Sequence, residues 1–124
     1  MAKKGIQVYV EEDAGVGAKF SNADYELMGA NVVKRKDLFA LSNVIFKVRP
    51  PLLEKETKLF MDGSCLISFL YPAQNKELID DLSHKGMNVF SVDCIPRISR
   101  AQAYDALSSM ANIAGYDYCY ITEI

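Results

Sequence analysis

The 124-residue sequence has no tryptophan, one histidine, three cysteines and four prolines. His84 stands in the polar stretch Leu82-Ser83-His84-Lys85-Gly86. A histidine-centred triad or zinc site therefore has little to be built from, and His84 is expected as a solvated residue in the last turn of a helix. Cys65, Cys94 and Cys119 are odd in number and widely spaced, which leaves neither a disulfide framework nor a C-x-x-C pair; three reduced thiols serving as packing residues are expected. Charge of one sign is also missing. Fourteen basic and 16 acidic side chains give a net charge of -2, with no sequence-wide attraction for phosphate backbones or anionic lipid, so no nucleic-acid partner is expected. The longest apolar stretches, Cys65 to Tyr71 and Met110 to Ile113, fall far short of the ~20 residues that span a bilayer. Met1-Ala2-Lys3-Lys4-Gly5 runs directly into an alternating segment with no apolar h-region, and no secretory signal is expected. Without repeats, linkers or charge blocks, residues 1–124 are expected to form one domain.

Half of the residues are apolar and a quarter are charged, as in a chain that folds. Short runs rich in Val, Ile, Phe and Tyr alternate with amphipathic stretches, the pattern of parallel strands joined by crossover helices. Strands are predicted at Gln7 to Glu11, Asn31 to Val33, Val44 to Val48, Leu66 to Leu70 and Asn88 to Val92. Helices are predicted at Ser21 to Met28, where a side-chain oxygen in Ser21-Asn22-Ala23-Asp24 can cap the first N–H groups and Gly29 is the stop, and over one or two turns at Lys36 to Leu41. Another is predicted at Leu52 to Phe60, started by Pro50-Pro51. Gln74 to Lys85 would bury Leu78, Ile79 and Leu82, and Ser99 to Ala114 would close at Gly115. The expected fold is α/β: a Rossmann-like, flavodoxin-like open and mostly parallel sheet with flanking helices. The segment Tyr116 to Ile124 begins a new alternating pattern.

The densest polar cluster, Pro96 to Ser109, lies just past the strand ending near Val92. In open parallel sheets, ligands collect at the carboxyl ends of strands. If Ser99 caps the helix, its N–H groups with Arg97 and Arg100 would form an anion site; alternatively Asp105 pairs with one of the two arginines. Gln102 and Asp105 would share a helix face at i, i+3 spacing. Arg49, in Phe46-Lys47-Val48-Arg49-Pro50-Pro51, is placed at the same rim, either as a ligand group or as a solvated strand end. Asn75, in Tyr71-Pro72-Ala73-Gln74-Asn75, is expected to cap the following helix. Gly15-Val16-Gly17 lacks the third glycine and long helix of a phosphate loop and reads as a turn.

The strings FKVRPP (Phe46 to Pro51), LISFLYPAQNKEL (Leu66 to Leu78) and IPRISRAQAYDALSSMANIAGY (Ile95 to Tyr116) closely resemble the NAD(H)-binding domain I family of proton-translocating NAD(P) transhydrogenases, within the wider alanine dehydrogenase/transhydrogenase N-terminal domain family. VEEDAGVGAKFSNADYELMGA is similar to the stretch after that family's second strand. Alanine dehydrogenases share the architecture but carry a catalytic lysine and histidine where this sequence has Arg49 and Tyr71, which argues against that activity. The resemblance implies hydride transfer between NAD(H) bound here and NADP(H) bound by a partner domain III, coupled to proton translocation by membrane domain II. It implies that Arg97 and Asp105 position the nicotinamide and its ribose, that Gln102 reaches toward the NADP(H) side, and that Ser108 and Arg49 contribute to the cofactor site. The chemistry would belong to the two nicotinamides, without a protein acid, base or metal.

Relative to the family pattern, a strand and helix ahead of Gln7 and the glycine-rich Rossmann half are absent, implying a truncated product, a split subunit or a fragment, inactive on its own. In a flavodoxin-like order 2-1-3-4-5 the first strand lies centrally, so Gln7 to Glu11 and Val44 to Val48 would each keep an open edge. The holoenzyme would be a dimer peripheral to an inner membrane, on the bacterial cytoplasmic or mitochondrial matrix face. The alternative to a catalytic part is a remnant that dimerises or associates with subunits through the small-residue helix Ala106 to Gly115.

Overall fold

The computed structural model describes residues 5–113. Among the described residues five strands and four α-helices follow in the order β1 (Tyr9–Glu11), α1 (Asn22–Leu27), β2 (Asn31–Val33), α2 (Arg35–Leu41), β3 (Val44–Phe46), β4 (Cys65–Ser68), α3 (Lys76–His84), β5 (Asn88–Ser91) and α4 (106–113), with no α-helix between β3 and β4. Every strand pairing is parallel, as the alternation predicts, and the fold is of the mixed α/β class. The pairings are not continuous. β1 pairs with β2, and β3, β4 and β5 form a second sheet in that order, so among the described residues β1 and β3 each have one edge without a strand partner.

Several elements form for the reasons visible in the sequence. The Ser21 hydroxyl accepts the Asp24 N–H while the Asp24 carboxylate accepts the Ser21 N–H, and this reciprocal capping box starts α1. Its carboxyl is held below the ordinary aspartate value, first by the bond from the Ser21 side chain. α3 buries Leu78 and Leu82 and half-buries Ile79, then stops at Gly86, whose φ of +63° suits glycine. These leucines join Phe39, Ile45, Phe60, Leu66, Leu70 and Met87 in one core, with the Phe39 and Phe60 rings 5.0 Å apart and tilted.

Gly15 is a turn residue, as predicted, but its requirement is space. A Cβ there would lie 2.6 Å from the Tyr25 ring and 2.8 Å from the Phe20 carbonyl oxygen. Gly15→Ala is therefore expected to cost about 1–3 kcal/mol of stability by overpacking, measurable as a lower midpoint in urea. Gly17→Ala, with open space around its Cα, serves as the control.

Two predicted helices differ from the structure. Leu52 to Phe60 holds only a single 3-10 turn, Thr57–Leu59. Here Glu54 takes a left-handed φ of +62°, through which a helix cannot run, in a loop where the Glu56 carboxylate accepts the Leu52 N–H at 2.9 Å and the Thr57 hydroxyl accepts the Glu54 N–H at 3.2 Å. Ser99 to Ala114 is not one helix either. A 3-10 segment, Ser99–Tyr104, ends at an extended Asp105, and α4 begins after it. The predicted closure at Gly115, and the segment Tyr116 to Ile124 with Cys119, lie outside the described residues. Cys65 is half-buried in β4, whereas Cys94 is exposed and is not a packing residue. His84 is exposed in the last turn of α3, where its Nδ1 lies 2.7 Å from the Asp80 carbonyl oxygen.

Candidate functional site

Because β3, β4 and β5 are parallel neighbours, the loops after them share one rim. Side chains stitch those loops together. The Ser68 hydroxyl, at the end of β4, donates to the Arg49 carbonyl oxygen beyond β3 at 3.1 Å. Asp93, beyond β5, accepts the N–H groups of Leu70 and Tyr71 at 2.8 and 3.0 Å and the Ser91 hydroxyl at 2.7 Å. Burial pushes the Asp93 carboxyl up, but the Ser91 and backbone donors outweigh it and hold it below the ordinary aspartate value. Tyr71 is thereby held at a φ of +48°, an uncommon conformation for a bulky residue, with its ring stacked on Phe69. Asn75 does not cap α3; its Nδ2 donates to the Leu70 carbonyl oxygen at 2.8 Å and closes the same loop.

Beyond Asp93 the chain turns into the polar cluster. Asp105 is the organising residue. One carboxylate oxygen accepts the Leu107 and Ser108 N–H groups at 3.1 and 3.2 Å, capping α4, while the other accepts the Ser108 hydroxyl. The Ser108 side chain is the first cause that holds the Asp105 carboxyl below its ordinary value. The Arg97 Nε lies 3.9 Å from that carboxylate, and the Arg97 side chain remains 68% exposed. Its guanidinium is loosely tethered, with donors free for a ligand.

The structure thus brings Arg97, Asp105 and Ser108 together. Gln102 is exposed in the preceding 3-10 segment and does not share an α-helical face with Asp105. Ser99 caps nothing: Ile98 occupies the cap position without a side-chain bond, and the short 3-10 segment provides no anion site. Arg49 is exposed on the far side of β4, where it lines a cleft of about 930 Å³ together with Pro51, Leu53, Gln74 and Lys76. Asp93 and Ser68 were not singled out in the sequence, although an Asp just past a strand and a Ser within an apolar strand are signals of a shared rim. No group of three or more His, Cys, Asp or Glu side chains suited to a metal is found among the described residues, and no helix among them is long and apolar enough to cross a membrane.

A parallel α/β unit with its polar side chains gathered at the carboxyl rim is of the Rossmann-like class. The family described as the alanine dehydrogenase/PNT N-terminal domain matches residues 1–114, and the chain belongs to it. It is 45% identical over 114 residues to the NAD(P) transhydrogenase subunit alpha of Haemophilus influenzae, covering 92% of this chain and 22% of that protein. It is 44% identical over 117 residues to the Cereibacter sphaeroides subunit alpha, covering 94% and 22%. Among solved structures, the transhydrogenase of Sinorhizobium meliloti superposes with a TM-score of 0.86 at 37% identity, covering 93% of this chain and 34% of that one. An L-alanine dehydrogenase gives a TM-score of 0.71 at 30% identity, covering 76% and 26%. The chain spans about a fifth of the length of the two subunit alpha relatives.

Proposed function

We propose that this chain forms the nicotinamide-facing part of the NAD(H)-binding domain I of a proton-translocating NAD(P) transhydrogenase, and that residues 1–124 act there as one domain. The observation that carries the reading is the Asp105 cap with the exposed Arg97 beside it, in a member of this family. Capping fixes the Asp105 carboxylate, and the carboxylate gives Arg97 a loose anchor. Such a fixed acceptor and free donor can bond a ribose hydroxyl and a carboxamide. Exposed Gln102 offers an amide toward a second nucleotide, NADP(H) held by a partner domain III. Ser108 supports the cap, and Arg49 serves the cofactor site from the neighbouring loop. The nicotinamides supply the hydride chemistry; these residues orient them and exclude water. The Rossmann half, membrane domain II, domain III and a second protomer complete the enzyme, and the part to which this chain belongs sits at the bacterial cytoplasmic or mitochondrial matrix face of an inner membrane.

Rapid single-turnover mixing of the reconstituted enzyme tests the assignment. Gln102→Ala is expected to slow hydride transfer about tenfold or more while changing NADH affinity less than about twofold, since its contact serves alignment; Arg97→Ala is expected to impair both. An unchanged transfer rate in the Gln102 variant would remove that residue from the site. The described residues contain no glycine-rich phosphate turn: Gly15 is packed on Tyr25. The chain alone is accordingly expected to bind NADH with a Kd weaker than about 100 μM by calorimetry. Low-micromolar binding would contradict that assignment of the pyrophosphate contacts to the other half.

A further inference from the structure

Asp93 ties the exit of β5 to the exit of β4. One carboxylate oxygen accepts the Leu70 N–H at 2.8 Å and the Ser91 hydroxyl at 2.7 Å, and the other accepts the Tyr71 N–H at 3.0 Å. Leu70 is fully buried, so the chain leaving β5 is pinned to a point that belongs to the core. The same clamp keeps Tyr71, a bulky and exposed residue, at a left-handed φ of +48°. Backbone strain of this kind persists only where the surrounding structure holds it, and it clusters where a ligand site needs fixed geometry.

Past Asp93 the backbone is restrained at each step as far as Arg97. Val92–Cys94 is a 3-10 turn, closed by the Ile95 N–H donating to the Val92 carbonyl oxygen at 3.4 Å. Ile95 is extended, the conformation favoured before a proline, and the Pro96 ring fixes its own φ. The Ile98 N–H then donates to the Pro96 carbonyl oxygen at 2.9 Å, a γ-turn with Arg97 at its centre. The result is a short, stiff arm from Asp93 to Arg97. Apolar packing does not hold its outer half, because residues 96–100 are all exposed, and the Asp105 carboxylate lies 3.9 Å from the Arg97 side chain. The arm is therefore aimed from its base. We propose that Asp93 is a positioning residue for the nicotinamide site: by locking the exit of β5 to the loop after β4, it sets the place and direction from which Arg97 meets the cofactor. The inference rests on the reading of Arg97 as a cofactor-binding residue and adds the residue through which that placement is made.

The test is a double-mutant cycle in the reconstituted enzyme, read as NADH affinity and as the single-turnover rate of hydride transfer. Asp93→Ala is expected to weaken NADH affinity about fivefold and to slow transfer about tenfold, as a displacement of Arg97 by about 1 Å would. On top of Arg97→Ala, the same change is expected to add less than about twofold, because both substitutions remove one interaction. Asp93→Asn keeps one oxygen acceptor and is expected to weaken affinity about threefold, a loss that again vanishes in the Arg97→Ala background, so the cycle stands where Asp93→Ala does not fold. Gly15→Ala, which strains the turn packed on Tyr25, is expected to leave both readouts unchanged. Three results overturn the proposal while leaving the reading of Arg97 intact: Asp93 variants with unchanged affinity and rate; losses that add in full to those of Arg97→Ala; or an equal loss in Gly15→Ala, which would make the effect one of general stability. An Arg97→Ala enzyme with unchanged affinity and rate would instead overturn the reading of Arg97, and this inference with it.

Discussion

Replacing Glu56 with alanine is expected to lower the unfolding free energy by about 3 kcal/mol, because it strips the partner from two cations and a backbone donor at once. Glu56 is only 4% exposed. Its carboxylate accepts Lys47 Nζ at 2.6 Å and the Leu52 N–H at 2.9 Å, and it lies 3.7 Å from Arg35, which in turn bonds Glu11 of β1 at 2.8 Å. This chain of charges ties β1, through α2, to the loop after β3, across two sheets that share no strand pairing among the described residues. The effect falls at the low end of the range for broken buried pairs because Lys47 and Arg35 are partly exposed and regain water. Glu56→Gln keeps the shape and an acceptor but loses the charge, and is expected to lie between the two. Burial pushes the Glu56 carboxyl up, yet the hydrogen bonds from Lys47 and Leu52 and the charges of Lys47 and Arg35 outweigh it, leaving the value below the usual 4.5. The folded form thus holds its proton less tightly than the unfolded one. Its charge contribution is complete above about pH 4.5 and is lost as the pH falls through the lower folded value. Urea unfolding at pH 7 and in steps below pH 4.5 checks both parts. The gap between the native chain and Glu56→Gln is expected to be constant at neutral pH and to close in acid; a gap that widens in acid would contradict the ion-pair account.

The same residue shows where sequence reading stops. Ser21 with Asp24, Gly29 after α1, and the Leu78, Ile79, Leu82 stripe were legible because each acts within a few residues of itself, where spacing alone encodes geometry. The strand positions were legible for the same reason, although β3, β4 and β5 end one or two residues before the predicted carboxyl ends and β1 starts two residues after the predicted start. Pro50-Pro51 also suggested the start of a helix over Leu52 to Phe60, and that inference failed. Its local signals were outweighed by a buried carboxylate bonding Lys47, nine residues earlier, and by Arg35 from another element. Asp105 was read as the middle of a helix because Ser99 seemed a sufficient cap, whereas a carboxylate that caps Leu107 and Ser108 offers the backbone a better start six residues later. The site was legible as a set of residue types and a place on the rim; the bond geometry that gathers Arg97, Asp105 and Ser108 was not. Asp93 stands just past a strand, but the N–H groups it accepts, those of Leu70 and Tyr71, are more than 20 positions away, beyond what local spacing encodes.

Asp93 is for that reason the second residue whose loss is expected to be felt widely. Asp93→Ala leaves the N–H groups of Leu70 and Tyr71 and the Ser91 hydroxyl without their acceptor. Leu70 is fully buried, and an orphaned buried donor costs about 1–3 kcal/mol. The Tyr71 N–H can turn to water, so about 2–3 kcal/mol is expected in total. Asp93→Asn retains one oxygen acceptor and is expected to lose about half as much. Stability is only part of the consequence, since the left-handed Tyr71 is held in place by this carboxylate and by the Asn75 clamp on the same loop. Once released, Tyr71 is free to relax toward ordinary φ, which moves the loop that runs into the Gln74 and Lys76 wall of the Arg49 cleft. Amide exchange of residues 70–75 is therefore expected to rise more than that of β5 in Asp93→Ala, while Asp93→Asn leaves most of the loop's protection intact. Uniformly faster exchange across β4 and β5, with no excess at residues 70–75, would show that Asp93 stabilises the sheet as a whole and does not shape the rim.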